Sequence, residues 1–172
     1  MASEVLEKGW IVLKKNKNGK KKICLISSSG GHFEQLLCLK PLGEKNDIFI
    51  VTEKTKYNKK DKKINHYVMQ VNRKEPLFIL KMFCIFVKSL ILYLVERPDV
   101  IISTGVLSAI PMLMIGHFFK KKVIYIESFA KITSPTMTGK LIYKKHIADR
   151  FYIQWESMKE FYPDAIYLGG IY

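Results

Sequence analysis

Short, continuously apolar runs alternate along this chain with longer stretches of helical periodicity. Strands are expected at 23–28, 47–52, 66–71, 99–103, 122–127, 150–154 and 165–168. Runs such as Ile23-Cys24-Leu25-Ile26 and Val123-Ile124-Tyr125-Ile126 lack polar alternation, the pattern of strands covered on both faces. Helices are expected at about 32–43, 76–96, 106–119, 134–148 and 156–161. Strand and helix alternate as in βαβ units, so the predicted class is α/β, a single Rossmann-like, doubly wound parallel sheet.

One helix stands apart. From Leu77 to Val95 only Lys81, Lys88 and Ser89 are strongly polar, and Pro76 and Pro98 bound the segment. About 20 residues at 1.5 Å each reach roughly 30 Å, long enough to cross a bilayer. Two internal lysines, each costing about 2.5–3.5 kcal/mol near the bilayer centre, nearly cancel the apolar gain. Lys81 and Lys88 are seven apart and share one face, with Lys74 on the same stripe. Such a helix fits a crossover mostly buried in the domain, a helix lying in the lipid interface with its lysines at the headgroups, or, less readily, a span.

Composition narrows the classes. With 172 residues the chain is one domain, and 48% hydrophobic content excludes a disordered basic tail. Lys and Arg number 29 against 15 Asp and Glu, a formal charge of +14, so an anionic partner is expected. Fifteen of the 29 fall in three runs, 14–22, 54–63 and 120–122. The 21 aromatics lie mainly away from those runs, which argues against nucleic acid and leaves an anionic membrane surface as the expected destination. Residues 1–21 are expected to form a basic N-terminal segment, with Trp10 beside the lysines as a membrane contact, and residues 22–172 the folded domain. The segment Met1–Leu13 lacks the uninterrupted apolar run of a signal peptide. Cys24, Cys38 and Cys84 form no metal-binding spacing, and reduced cysteines place the chain in the cytoplasm. No cofactor or metal is expected.

Chemistry concentrates at the ends of three strands. Ser27-Ser28-Ser29-Gly30-Gly31-His32 is a glycine-rich turn between a strand and a helix, a placement suited to phosphate. It is neither GxGxxG nor a Walker loop. His32, at the helix start, is a candidate base or anion donor. Ser103-Thr104-Gly105 begins a second turn, in which Thr104, Gly105 and Ser108 offer donors to the same ligand. Glu127 ends a third strand and is a second catalytic candidate, a carboxylate that could act as a base or hold a sugar hydroxyl, with Ser128 beside it as a further binding candidate. In an open parallel sheet these ends converge on one crevice. His66, His117 and His146 have no evident partner.

Together, Ser-Ser-Gly-Gly-His at 28–32, Ser-Thr-Gly at 103–105, Tyr-Ile-Glu-Ser-Phe-Ala at 125–130, Thr-Gly-Lys-Leu at 138–141 and Gln-Trp-Glu at 154–156 resemble the membrane-associated subunit of two-subunit glycosyltransferases. That group includes bacterial capsule and exopolysaccharide biosynthesis proteins, and is similar to the anchoring subunit of the eukaryotic UDP-GlcNAc transferase of N-glycan precursor synthesis. The resemblance implies the N-terminal Rossmann-like half of a GT-B glycosyltransferase. This half would bind a lipid-diphosphate-linked sugar acceptor at the cytoplasmic face of the membrane, while a partner chain binds the UDP-sugar. It further implies that Gly30, Gly31 and His32 face the acceptor diphosphate, that Ser103, Thr104 and Gly105 form the second loop, and that Glu127 sits at the cleft. A non-catalytic scaffold that recruits the partner transferase is the alternative.

Overall fold

The computed structural model describes residues 19–56, 58 and 61–171. Trp10 and nearly all of the basic segment 1–21 therefore lie outside the described residues. Seven strands form, β1 (Lys22–Ser27), β2 (Asp47–Glu53), β3 (His66–Val68), β4 (Val100–Ser103), β5 (Lys122–Ile126), β6 (Arg150–Ile153) and β7 (Ile166–Tyr167), at the seven expected places. Among the described residues four α-helices connect them: α1 (Gly31–Leu37), α2 (Phe78–Glu96), α3 (Ile110–Phe118) and α4 (Met137–Lys144).

Prolines account for most of the differences from the expected helices. The first helix stops at Leu37 and gives way to a 3-10 turn, Lys40–Glu44, with Pro41 in its first turn. The third begins as a 3-10 turn at Leu107–Ala109 before Pro111 opens α3. The fourth starts only after Pro135, with Thr136 as its N-cap, its hydroxyl accepting from the Gly139 amide.

All strand pairs are parallel and the order is β3-β2-β1-β4-β5-β6-β7. This is the Rossmann arrangement, whose switch point lies between β1 and β4. Ile23 and Leu25 of β1 pack with Phe33 and Leu36 of α1 on one face, while Cys24 and Ile26 pack with Ile85, Leu92 and Met112 on the other. Both faces are thus apolar, as the unbroken runs in the sequence require.

The crossover α2 departs from the buried-helix expectation. Only Ile85, Ser89, Leu92 and Tyr93 are buried, whereas Ile79 is 82% exposed, Phe83 63% and Val95 69%. At 100° per residue, Ile85, Leu92 and Ser89 occupy one flank and Ile79, Phe83, Val87, Ile91 and Leu94 the opposite one. Lys81 and Lys88 sit at the margin between them, Lys81 paired with Glu75. The helix is long and apolar enough to cross a membrane, yet its inner flank is part of the domain core.

Candidate functional site

Register brings the expected chemistry to one edge. Ser27 aligns with Thr52 across β1 and β2, Ile26 with Ser103 across β1 and β4, and Ser103 with Tyr125 across β4 and β5. The turns after β1, β4 and β5 therefore leave the sheet at the same level, around the switch point.

The first turn faces solvent. Gly30 has φ 82 and ψ −145, a backbone conformation that side-chain-bearing residues rarely adopt, and its carbonyl accepts from the amides of Phe33 and Glu34. Ser29 and Gly30 line a cleft of about 660 Å³ whose other wall is the β2–β3 loop, with Thr55, Lys56, Asn58 and Asp61. That wall was not anticipated, because the loop reads only as a lysine run. Asn58 builds it, donating to the Glu53 carbonyl at 2.8 Å and accepting from the Thr55 amide at 2.9 Å. An asparagine inside a charge run was the available signal, since its side chain closes turns on its own backbone.

His32 joins the first turn to the second. Its Nδ1 lies 2.8 Å from the Thr104 carbonyl, and the Thr104 hydroxyl donates to the His32 carbonyl at 2.8 Å. A carbonyl only accepts, so Nδ1 carries the proton, and in the neutral ring Nε2 holds the lone pair. Among the described residues Nε2 has no hydrogen-bond partner.

The second turn is wound tightly behind that ring. Ser103 Oγ accepts from the Gly105 amide and donates to the Gly105 carbonyl. A Cβ on Gly105 would stand 3.2 Å from His32 Cε1 and 3.5 Å from the Tyr125 hydroxyl. Val106 follows with φ 85 and ψ 154, a region that is essentially glycine's and costs a β-branched residue on the order of 1–3 kcal/mol. Ser103, Thr104 and Ser108 are fully buried. The hydroxyls expected to meet a ligand are thus turned inward: Ser103 closes its own loop, Thr104 holds His32, and Ser108 faces the carboxyl of Glu53 without closing a hydrogen bond of normal length. Glu53, at the end of β2, was not anticipated. It is itself buried, and burial pushes its carboxyl above the ordinary range while the Ser108 hydroxyl partly offsets this.

Glu127 is also inside the protein and not on the cleft wall. It is fully buried and accepts from the Ser128 amide at 2.9 Å, the Thr136 hydroxyl at 2.8 Å and the Tyr162 hydroxyl at 2.7 Å. Burial, and then the Glu127 charge, drive the Tyr162 hydroxyl far above the usual phenol range, so it remains a donor. Gly139 makes the arrangement possible, because a Cβ there would overlap the Glu127 carboxylate and the Tyr162 hydroxyl. Tyr125 extends the network, its hydroxyl 3.3 Å from that of Thr136. The Thr136 hydroxyl thus links Tyr125 to Glu127, and the missing side chain at Gly105 leaves room between His32 and Tyr125.

The remaining motif residues are braces. Gln154 donates to the Glu127 carbonyl at 2.8 Å and accepts from the Ile171 amide at 3.0 Å, tying β6 to the end of β5 and to the C-terminal segment. Trp155 donates to the Phe129 carbonyl at 2.7 Å and packs on its ring.

Residues 23–171 match the family model described as "Oligosaccharide biosynthesis protein Alg14 like". The chain belongs to this family. It is 36% identical over 81 residues to the human UDP-N-acetylglucosamine transferase subunit ALG14, a match covering 44% of this chain and 37% of that protein. It is 36% identical over 90 residues to the Candida albicans subunit, covering 49% and 40%. The match to these curated relatives therefore spans well under half of their length. Among solved structures, the Rickettsia bellii UDP-N-acetylglucosamine 2-epimerase superposes with a TM-score of 0.69 at 12% identity, over 88% of this chain and 45% of that one. Acinetobacter baumannii MurG does so with a TM-score of 0.63 at 16% identity, over 80% and 42%. The Alg14-like fold is thus a Rossmann-like domain corresponding to somewhat under half of a GT-B chain.

Proposed function

We propose that this Alg14-like chain is the acceptor-binding half of a heteromeric inverting glycosyltransferase of oligosaccharide or polysaccharide biosynthesis. It works at the cytoplasmic face of a membrane with a partner chain that binds a UDP-sugar. The acceptor is a lipid-diphosphate-linked sugar, its diphosphate held at the solvent-facing turn of Ser29, Gly30 and Gly31 and its sugar in the adjoining cleft. The acceptor hydroxyl attacks the anomeric carbon, its proton passes to His32 Nε2, and UDP leaves with the electron pair of the broken bond. Ser103, Thr104 and Gly105 hold His32. Glu127, with Ser128 and Thr136, is a positioning group for the far lip of the cleft.

The observation that carries this reading is the reciprocal pair of hydrogen bonds between His32 and Thr104, which leaves Nε2 as the free, basic nitrogen at the switch point. In the complex reconstituted with its partner, His32→Ala should lower turnover by about 10²-fold or more with little change in Tm. An unchanged rate removes His32 from the chemistry. Equal turnover by the partner alone would leave this chain only the recruiting role of a scaffold.

The exposed outer flank of α2 supports membrane contact, with Lys81 and Lys88 at its margin placed to reach anionic headgroups. Together these features favour a peripheral domain resting on the bilayer.

A further inference from the structure

The outer flank of α2 does not end at the helix. It continues across a groove onto α3, where Met114, Phe118 and Phe119 are 48%, 78% and 44% exposed. The groove has a volume of about 370 Å³ and is lined by Phe86, Leu90, Met114, Ile115, Phe118 and Phe119, apolar side chains throughout. One wall is fixed: Phe119 stacks on the buried Tyr93 at 4.8 Å, and Phe118 meets Phe119 edge-on at 5.2 Å. By liquid volume the groove has room for about a dozen waters, but apolar walls do not hydrogen-bond them.

We propose that this groove binds one acyl chain of a bilayer phospholipid, separately from the general contact of the α2 flank with the membrane. Three features identify the occupant. The walls suit a hydrocarbon chain and nothing polar. The groove opens onto the flank that would lie against the bilayer, so a chain can enter without crossing water. Lys120 and Lys121 directly follow Phe119, so cations stand just beyond the Phe118–Phe119 end of the groove, where they line a polar pocket with Asp99 and Asp149 and would meet a phospholipid headgroup. Phe86 lies eight residues into α2, about 12 Å down from the edge that carries His32, so the chain is held beside the site and not in it. Seating one lipid in a rigid slot fixes the rotation of the domain on the membrane, which a smooth apolar flank alone does not do. The inference rests on the membrane-contact part of the proposed function.

Two measurements on the full chain separate the two ideas. Lysophosphatidylglycerol below its micelle concentration should bind the protein at one saturable site by titration calorimetry. Met114→Trp, which fills the groove, should weaken that binding at least about tenfold, while sedimentation with phosphatidylcholine–phosphatidylglycerol vesicles stays within about twofold of the parent. Phe83→Glu, on the outer flank of α2, should do the reverse. Should Met114→Trp fail to fold, Leu90→Phe narrows the groove from its α2 wall and carries the same expectation. Absent saturable binding by the parent, unchanged binding by a folded groove variant, or a parent dimer that Met114→Trp dissociates would each overturn the proposal, the last by making a second copy the occupant. Loss of vesicle binding by the parent would instead refute the membrane contact on which it rests.

Discussion

The two edges of this sheet are built on different terms. At the N-terminal edge, charges meet partners. Glu96 holds Lys22 at 2.5 Å and His66 at 2.7 Å, Asp99 accepts from the Lys22 amide, and Asp149 accepts from the Val123 amide at 2.7 Å. Arg97, Lys120 and His146 there take the left-handed conformation common at helix ends. At the C-terminal edge two carboxyls are buried, the Thr52 hydroxyl finds no hydrogen-bond partner among the described residues, and Val106 occupies a glycine conformation. The glycine-only backbone at Val106 and both buried carboxyls thus lie where a ligand would be held, while Ser89 on α2 is a buried hydroxyl without a partner away from that edge.

The largest effect should come from breaking the strained edge at its tightest point. Gly139→Ala pushes a methyl group into the Glu127 carboxylate and the Tyr162 hydroxyl, and overpacking a buried polar network should cost about 3 kcal/mol or more. For a chain of this size that lowers Tm by roughly 6–12 °C. Lys122→Ala at the other edge removes a half-exposed ion pair 3.5 Å long with Asp149, worth at most about 1 kcal/mol. Thermal unfolding of the two variants side by side measures the contrast, and equal losses would mean that the edges do not differ.

How much of this was legible beforehand follows the same division. The seven strands could be read because a strand buried on both faces leaves an unbroken apolar run, a local signal. The glycine turn and His32 could be read for the same reason. The fate of Glu127 could not. Its partners Thr136 and Tyr162 are 9 and 35 residues away, and only folding shows that they close over it. Glu53 was missed because Val51-Thr52-Glu53-Lys54 reads as a strand ending in surface charge. The partner of His66 was missed because Glu96 is 30 residues distant. For α2, an almost uniformly apolar helix carries too little periodicity to say which flank faces the core, and its exposure emerges only from packing.

A smaller effect tests the compensated edge. The Lys22 ammonium, then His66, hold the Glu96 carboxyl below its ordinary range against the opposing effect of burial. A depressed carboxyl contributes stability that is present above its unfolded-state value and is lost as pH falls through the lower folded-state value. Glu96→Gln should therefore cost about 1 kcal/mol at neutral pH, with the difference from the parent fading under acid conditions. Denaturant titrations at neutral pH and near pH 3 measure it.

The smallest expected effect has the opposite sign and defines the strained edge most sharply. Burial raises the Glu53 carboxyl and Ser108 only partly offsets it, so the folded state disfavours the charged form. Stability is then highest below the ordinary carboxylate range and falls as pH rises from that range to the raised value, remaining level beyond it. Glu53→Gln is neutral throughout and keeps the shape, so it should stabilise the protein by about 1 kcal/mol at neutral pH and lose that advantage on acidification. Glu96→Gln and Glu53→Gln would thus move in opposite directions under one titration, although both remove a carboxylate from a strand end or its flank. Turnover of the reconstituted pair separates the remaining meanings. If Glu53→Gln is more stable and equally active, Glu53 is a tolerated internal charge. If it is more stable and slower, the carboxyl behind Ser108 belongs to the machinery that shapes the second turn, and the strain at Val106 is part of the same device.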